Sequence, residues 1–256
     1  MNTVTRIAAS LAIAFAASAG TAAMAAPVKT PVKNIVLVHG FFADGSGWQG
    51  VADILTKDGY NVAVVQQPET SLADDVKATA RAVDAMNGDS ILVGHSYGGM
   101  VITEAGNNPK VAGLVYVAAF APDAGESLLD LVKKMPPASE AIKASADGHL
   151  YFEQALFHAD FAADLPAGTA RFMAMSQVMP AVQTAGTAVT QAAWKTKPSW
   201  AIVSSADRTV NPDLERYMAK RAGSTTVEIN GSHAAFIARP ADVAKVIEQA
   251  AAKVGH

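Results

Sequence analysis

Ile91-Leu92-Val93-Gly94-His95-Ser96-Tyr97-Gly98-Gly99-Met100-Val101-Ile102 is the stretch on which the reading of this chain turns. Ile91-Leu92-Val93 is a short, continuous apolar run of the kind a strand takes when both its faces are covered. Gly99-Met100-Val101-Ile102 resumes as an apolar helix. Between them lies G-x-S-x-G, with no room for a loop. A strand that turns into a helix within five residues holds its central serine on a sharp, strained backbone with the hydroxyl exposed. The flanking glycines permit the close approach of strand and helix that a Cβ would block. Five letters alone carry little weight. Their position between strand and helix makes Ser96 a candidate nucleophile.

The same rhythm repeats to either side. Apolar runs occur at Ile35–Val38, Val62–Val65, Val111–Val117 and Trp200–Val203, and Thr225–Ile229 mixes polar and apolar residues as an edge strand does. Helical patterns separate them. Ser71 and Asp74 are spaced as a capping box ahead of Val76, Val83 and Met86. Asn211-Pro212 reads as a cap with proline in the first helical position, and Pro240 opens a last helix with Val243, Val246, Ile247 and Ala250 inward. Alternation of buried strands and helices predicts an α/β fold: a mainly parallel sheet of about six strands with helices on both faces. From about Asp123 to Trp194 no strand is expected. That stretch, with helices expected around Leu150–Phe157 and Phe172–Val178, reads as a helical cap inserted over the carboxyl ends of the strands.

A nucleophilic serine needs a base within reach and an acid to orient that base. With a G-x-S-x-G turn the expected chain order is serine, acid, histidine. His233, in Asn230-Gly231-Ser232-His233, directly follows the last strand and so belongs to the carboxyl edge of the sheet, where sites form in open α/β folds. His149 and His158 fall in the cap, and His256 is at the chain end. Asp207 follows the strand Trp200–Val203 and is the candidate acid. Asp213 falls in a helical first turn, where an acid stabilises the helix dipole, and Asp123 follows the fourth strand. Two backbone N–H groups are expected to face a developing oxyanion: that of Tyr97, next to the serine, and that of Phe41, in the glycine-rich loop His39–Trp48. His39 is expected to make structural hydrogen bonds beneath that loop. Trp48, Phe152, Phe157, Phe172 and Met175 are the candidate substrate-binding side chains, an apolar set with adaptable methionine.

Composition narrows the class. With 20 basic and 23 acidic residues the net charge is −3, and no basic run marks a nucleic-acid partner. Phosphate-cradling loops, paired cysteines and H-E-x-x-H are all missing from the sequence, so no metal or cofactor is implied. Arg6, the apolar run Ile7–Ala19 and Ala23-Met24-Ala25 read as a secretory leader over residues 1–25. The expectation is an exported mature domain, residues 26–256, of roughly 230 residues, periplasmic or secreted and free of the membrane after cleavage, with a small-molecule ester as its partner.

Val38-His39-Gly40-Phe41, Gly94-His95-Ser96-Tyr97-Gly98-Gly99, Asp207 and Gly231-Ser232-His233 together resemble the α/β-hydrolase superfamily over essentially the whole mature chain. The His-Gly loop continuing through Ala43-Asp44-Gly45-Ser46-Gly47-Trp48 is similar to small bacterial esterases related to the plant methylesterase and hydroxynitrile lyase group. The resemblance implies a serine carboxylesterase working through an acyl-enzyme. Haloalkane dehalogenases and epoxide hydrolases of this fold carry an aspartate where Ser96 stands. Hydroxynitrile lyases place a lysine where Ala234 follows the histidine. A lyase or cofactor-free perhydrolase with the same triad, or a non-catalytic small-molecule binder, are the alternatives.

Overall fold

The computed structural model describes Met1 and residues 30–255. The leader expected over residues 1–25 lies, apart from Met1, outside the described residues. All six expected strands form, in one fully parallel sheet. They are β1 (Asn34–Val38), β2 (Asn61–Val65), β3 (Ser90–His95), β4 (Val111–Val117), β7 (Ser199–Ser204) and β8 (Thr225–Ile229), in the spatial order β2-β1-β3-β4-β7-β8. β8 is an edge, as its mixed composition predicts, and its burial pattern is mostly exposed.

Alternation along the strands divides the core in two, because successive side chains point to opposite faces. Val36, Val38, Leu92 and Leu114 pack on one face. Against it lie α2 (Leu72–Ala85), α3 (Gly98–Ala105) and α8 (Pro212–Arg221). Ile35, Leu37, Ile91, Val93 and Val115 pack on the other, against α1 (Gln49–Lys57) and α10 (Pro240–Val254), with α9 (Ala235–Ala238) leading into α10.

Helix starts follow the sequence with one difference. The Ser71 hydroxyl accepts from Asp74 N at 3.1 Å, but the Asp74 carboxylate takes the hydroxyls of Ser71 and Thr70, not a backbone N–H. The reciprocal box forms instead at Ser127 and Asp130, opening α4 (Leu128–Lys134).

Between β4 and β7 the expectation of a mostly helical insertion without strands is corrected on the second point. Besides α4, α5 (Gln154–Asp160), α6 (Ala167–Met175) and α7 (Val182–Gly186), the segment holds an antiparallel pair, β5 (Ile142–Ala144) with β6 (Leu150–Phe152). Leu150–Phe152 is therefore strand, and the helix expected there begins only at Gln154. The reason is local: the turn at Gly148, with φ +84°, folds two three-residue strands onto each other. Such short strands leave too little periodicity to be told from a helical fragment.

Candidate active site

Three parallel strands deliver the candidate residues to one edge. β3 runs out at His95, and Ser96 follows with φ +54°, a left-handed conformation that costs a non-glycine residue of order 1 kcal/mol or more. The conformation is held from both sides. Ser96 N donates to Val117 O at 3.2 Å, and Ser96 O accepts from Phe120 N at 3.2 Å and Gly99 N at 3.0 Å. The turn fits because two neighbours lack side chains. A Cβ on Gly98 would come within 2.6 Å of His39 O, and one on Gly40 within 2.6 Å of Ser96 Cβ.

β7 ends at Ser204, and β8 ends at Ile229. The loops beyond them are stitched together by Ser205 N to Ile229 O at 2.9 Å and Ala206 N to Gly231 O at 3.1 Å. This brings Asp207 and His233 together, with His233 Nδ1 2.6 Å from Asp207 Oδ2 and both side chains fully buried. Asp207 Oδ1 accepts from Thr209 N at 2.7 Å and Val210 N at 2.9 Å, so the carboxylate is fixed from three directions. A carboxylate accepts, so Nδ1 of His233 carries the hydrogen and Nε2 is left with the lone pair. Nε2 is buried and, among the described residues, has no hydrogen-bond partner. The rival acids are engaged elsewhere: Asp123 with Lys195 at 2.5 Å and Asp213 with Arg216 at 2.8 Å.

The two neighbouring histidines are distinct in role and state. His95 Nε2 lies 2.9 Å from the carbonyl of His233 and donates to it, tying the base's backbone to the serine turn. Complete burial, with His233 nearby, pushes His95 well below the usual histidine value, so the ring is neutral. His39 sits under the loop that follows β1, as expected. Its Nε2 accepts from Gln67 N at 3.1 Å, which places the hydrogen on Nδ1, facing Gly40 O at 3.1 Å and Glu69 Oε1 at 3.4 Å.

Beneath the loop lies a buried polar cluster that sequence reasoning missed. Glu69 N donates to Asp75 Oδ1 at 2.8 Å, and the Tyr97 hydroxyl donates to Asp75 Oδ2 at 2.7 Å. Burial pushes Glu69 up to about 7, against the pull of His39. Burial also raises Asp75, opposed by the Tyr97 hydroxyl. Burial opposes charging of His39, while Glu69 beside it favours it, and the balance lies above the usual value. The Tyr97 ring stacks on that of Phe41 at 3.9 Å, so the two residues expected to supply oxyanion N–H groups pack against each other. In sequence, Asp74 reads as the partner of Ser71 and Asp75 only as a further acid of the helical first turn, with nothing to show that it turns inward.

Ser96 opens into a cavity of about 190 Å³ lined mainly by apolar side chains, among them Phe41, Phe42, Phe120, Leu129, Val132 and Ile142. The five candidate substrate-binding residues are not among those lining it. Trp48 ends a short 3-10 turn, Gly45–Trp48, and its ring is buried against Phe236 at 4.6 Å. Phe152 and Phe157 are buried in an aromatic cluster, with Phe152 edge-on to Phe42 at 5.8 Å and Phe157 stacked on Phe161 at 4.6 Å. Phe172 and Met175 lie on the outer face of α6, 65% and 54% exposed. Phe172 lines a separate surface hollow, which Phe42 also borders. From the insertion, the apolar wall comes instead from α4, Ile142 of β5, Leu150 of β6 and Ala185 of α7.

The insertion also grips the loops carrying acid and base. Asp160 Oδ1 accepts from Arg208 Nε at 2.7 Å and Asp160 O from the Thr209 hydroxyl at 2.9 Å. Asp164 accepts from both Ser232 N, at 2.9 Å, and the Ser232 hydroxyl. Ala234 N donates to Phe161 O at 3.0 Å.

Comparison with known proteins agrees with this architecture. A carbendazim-hydrolysing esterase of Nocardioides sp. (strain SG-4G) is 37% identical over 119 residues, 41% of this chain and 49% of that protein, so the match spans about half of the esterase. An α/β hydrolase of Aspergillus novofumigatus, nvfD, is 28% identical over 85% of this chain and 96% of its own length. The crystal structure of a pyrethroid hydrolase from Sphingobium faniae JZ-2 superposes with a TM-score of 0.75 at 22% identity, covering 86% of this chain and 97% of that one. The family model described as alpha/beta hydrolase matches residues 35–246, from the second residue of β1 into α10. The parallel sheet, the serine turn at the end of β3 and that match lead to one conclusion: the chain belongs to the alpha/beta hydrolase family.

Proposed function

We propose that this protein is an exported serine hydrolase that cleaves small to medium uncharged carboxylic esters. The observation that carries the reading is the His233–Asp207 pair, with Nδ1 engaged by the carboxylate at 2.6 Å and Nε2 buried without a partner. A base in that state needs only a serine hydroxyl to act on, and Ser96 stands at the same strand edge, opening into an apolar cavity. Names given to relatives, carbendazim-hydrolysing esterase and pyrethroid hydrolase, support hydrolytic chemistry on small organic molecules. In the proposed cycle Ser96 Oγ attacks the ester carbonyl and His233 Nε2 takes its proton. Asp207 holds the imidazolium in orientation. The N–H groups of Phe41 and Tyr97 receive the oxyanion, a contribution of roughly 3 kcal/mol per donor. His233 then protonates the departing alcohol, and a water that it activates releases the acid. The mainly apolar cavity wall suits an ester with an apolar portion and no charge.

The test is hydrolysis of short-chain p-nitrophenyl esters by the chain beginning at Ala26, together with labelling by a fluorophosphonate probe. Turnover and labelling are both expected, and both should vanish in Ser96→Ala. A folded protein that shows neither would overturn the reading.

A further inference from the structure

Behind the acid–base pair lies a carboxyl group that the proposed cycle does not use. Glu215, in the first turn of α8, is only 4% exposed. Its Oε2 accepts from Ser204 N at 3.3 Å, at the end of β7. Its Oε1 is buried and, among the described residues, has no hydrogen-bond partner. The acidic group beside it is Asp207, whose own oxygens already accept from Thr209 N, Val210 N and His233 Nδ1.

Two ionised carboxylates only accept. Placed side by side out of water, they would repel and leave the buried Oε1 without a donor. One proton removes both difficulties: it cancels the second charge and makes Glu215 a donor. Among the described residues no cation pairs with the Glu215 carboxyl. Arg216, the cation next to it in sequence, favours an ionised Glu215, but it is largely exposed and held by Glu228 and Asp213 at 2.8 Å each. The small void beside Glu215 is walled by Tyr116, Ala201 and Met218. The helix N-terminus favours an anion, but that influence is weaker than the penalty of desolvating a charge. Burial and the charge of Asp207 accordingly hold Glu215 well above the usual carboxylate range.

We propose that Glu215 is a neutral carboxylic acid whose O–H donates to the Asp207 carboxylate, making it a positioning residue for the Asp207–His233 pair. The kinetic part of this inference rests on the serine-hydrolase reading above. Held in this way, Asp207 has one more fixed partner, and the pair carries one negative charge in place of two. A second charge would favour the imidazolium and move the acidic limb of the pH–rate profile upward.

The experiment compares Glu215→Gln and Glu215→Leu. Glutamine keeps a neutral donor for Asp207 and an acceptor for Ser204 N. It should retain kcat within about twofold and leave the acidic limb of kcat/KM in place. Leucine removes the donor and should lower kcat by about tenfold. Independently of turnover, the infrared difference between wild type and Glu215→Gln at neutral pH should contain the C=O stretch of a protonated carboxyl. Absence of that band, a downward move of the acidic limb in Glu215→Gln, or full kcat in Glu215→Leu would each overturn the proposal. The infrared readout stands even if Glu215→Leu fails to fold. Loss of the esterase reading itself would show separately, as a folded wild type with neither ester turnover nor probe labelling, or as ester turnover surviving in Ser96→Ala, and the infrared readout is independent of both.

Discussion

Gly40→Ala tests the serine turn most directly, because the structure gives the collision in numbers. The new Cβ would lie 2.6 Å from Ser96 Cβ and 2.9 Å from His95 O. Carbon atoms prefer separations of about 3.5–4.0 Å, so the shortfall is about 1 Å. Neither neighbour is a flexible side-chain end. Ser96 is fixed at φ +54° by backbone bonds on both sides, so the loop carrying Phe41 must give way. Overpacking of this kind costs about 1–3 kcal/mol, which for a domain of this size lowers Tm by roughly 2–12 °C. Most of the chain would stay folded at 25 °C. The consequence for turnover is larger. A displacement of about 1 Å in a positioned group costs about a hundredfold, and loss of one oxyanion donor about 10²–10³. Ester hydrolysis should therefore fall about a hundredfold in kcat/KM while far-UV circular dichroism and the melting transition report a folded protein. Gly168→Ala is the control. It lies in α6 with open space where the Cβ would go, and it should leave activity alone and hold or raise Tm. Wild-type kcat/KM in Gly40→Ala, or a loss matched by the unfolded fraction, would refute the reasoning.

Three further outcomes are expected. Glu69, raised by burial from 4.5 to about 7, binds its proton more tightly folded than unfolded, so its contribution to stability is present at acid pH and lost as pH rises through about 7; the whole term is on the order of 3 kcal/mol. Glu69→Gln should flatten the decline in Tm between about pH 5 and pH 8, and equal declines in both proteins would count against it. Asp164→Ala releases the loop before His233 and should lower kcat by about tenfold with little change in KM; an unaltered kcat in steady-state assays would show that the other ties suffice. Val132→Phe narrows a cavity of about 190 Å³ and should shift preference among p-nitrophenyl esters towards shorter acyl chains, whereas an unchanged chain-length profile would move the acyl site elsewhere.

What the sequence made legible followed from geometry that leaves a one-dimensional trace. In a parallel sheet every strand ends on the same edge, so a residue directly after an apolar run can be placed without knowing the pairing. Ser96, Asp207 and His233 each follow such a run, and the pairing of Asp207 with His233 could be read from position alone. The pocket left no such trace. Trp48, Phe152 and Phe157 are large and apolar, as pocket residues are, but so are core residues, and which way a ring turns depends on a 3-10 turn or a three-residue strand too short to show a period. Leu129 and Val132, which do line the cavity, read in sequence only as one face of a short helix.

The buried acids were hidden for a related reason. Asp75 and Glu215 both stand in helical first turns, where acids are ordinary on electrostatic grounds, and Glu69 stands in a loop, where acids are ordinary because water is near. Their inward orientation is decided by what lies opposite: the Tyr97 hydroxyl for Asp75, the amide of Ser204 for Glu215. Those partners are 22 and 11 residues away in the chain and belong to the serine turn and the acid-bearing strand. Local pattern thus identified the groups expected to exchange protons. The carboxyls buried beneath the His39 loop and behind Asp207 became visible only once the sheet had brought the strand ends together.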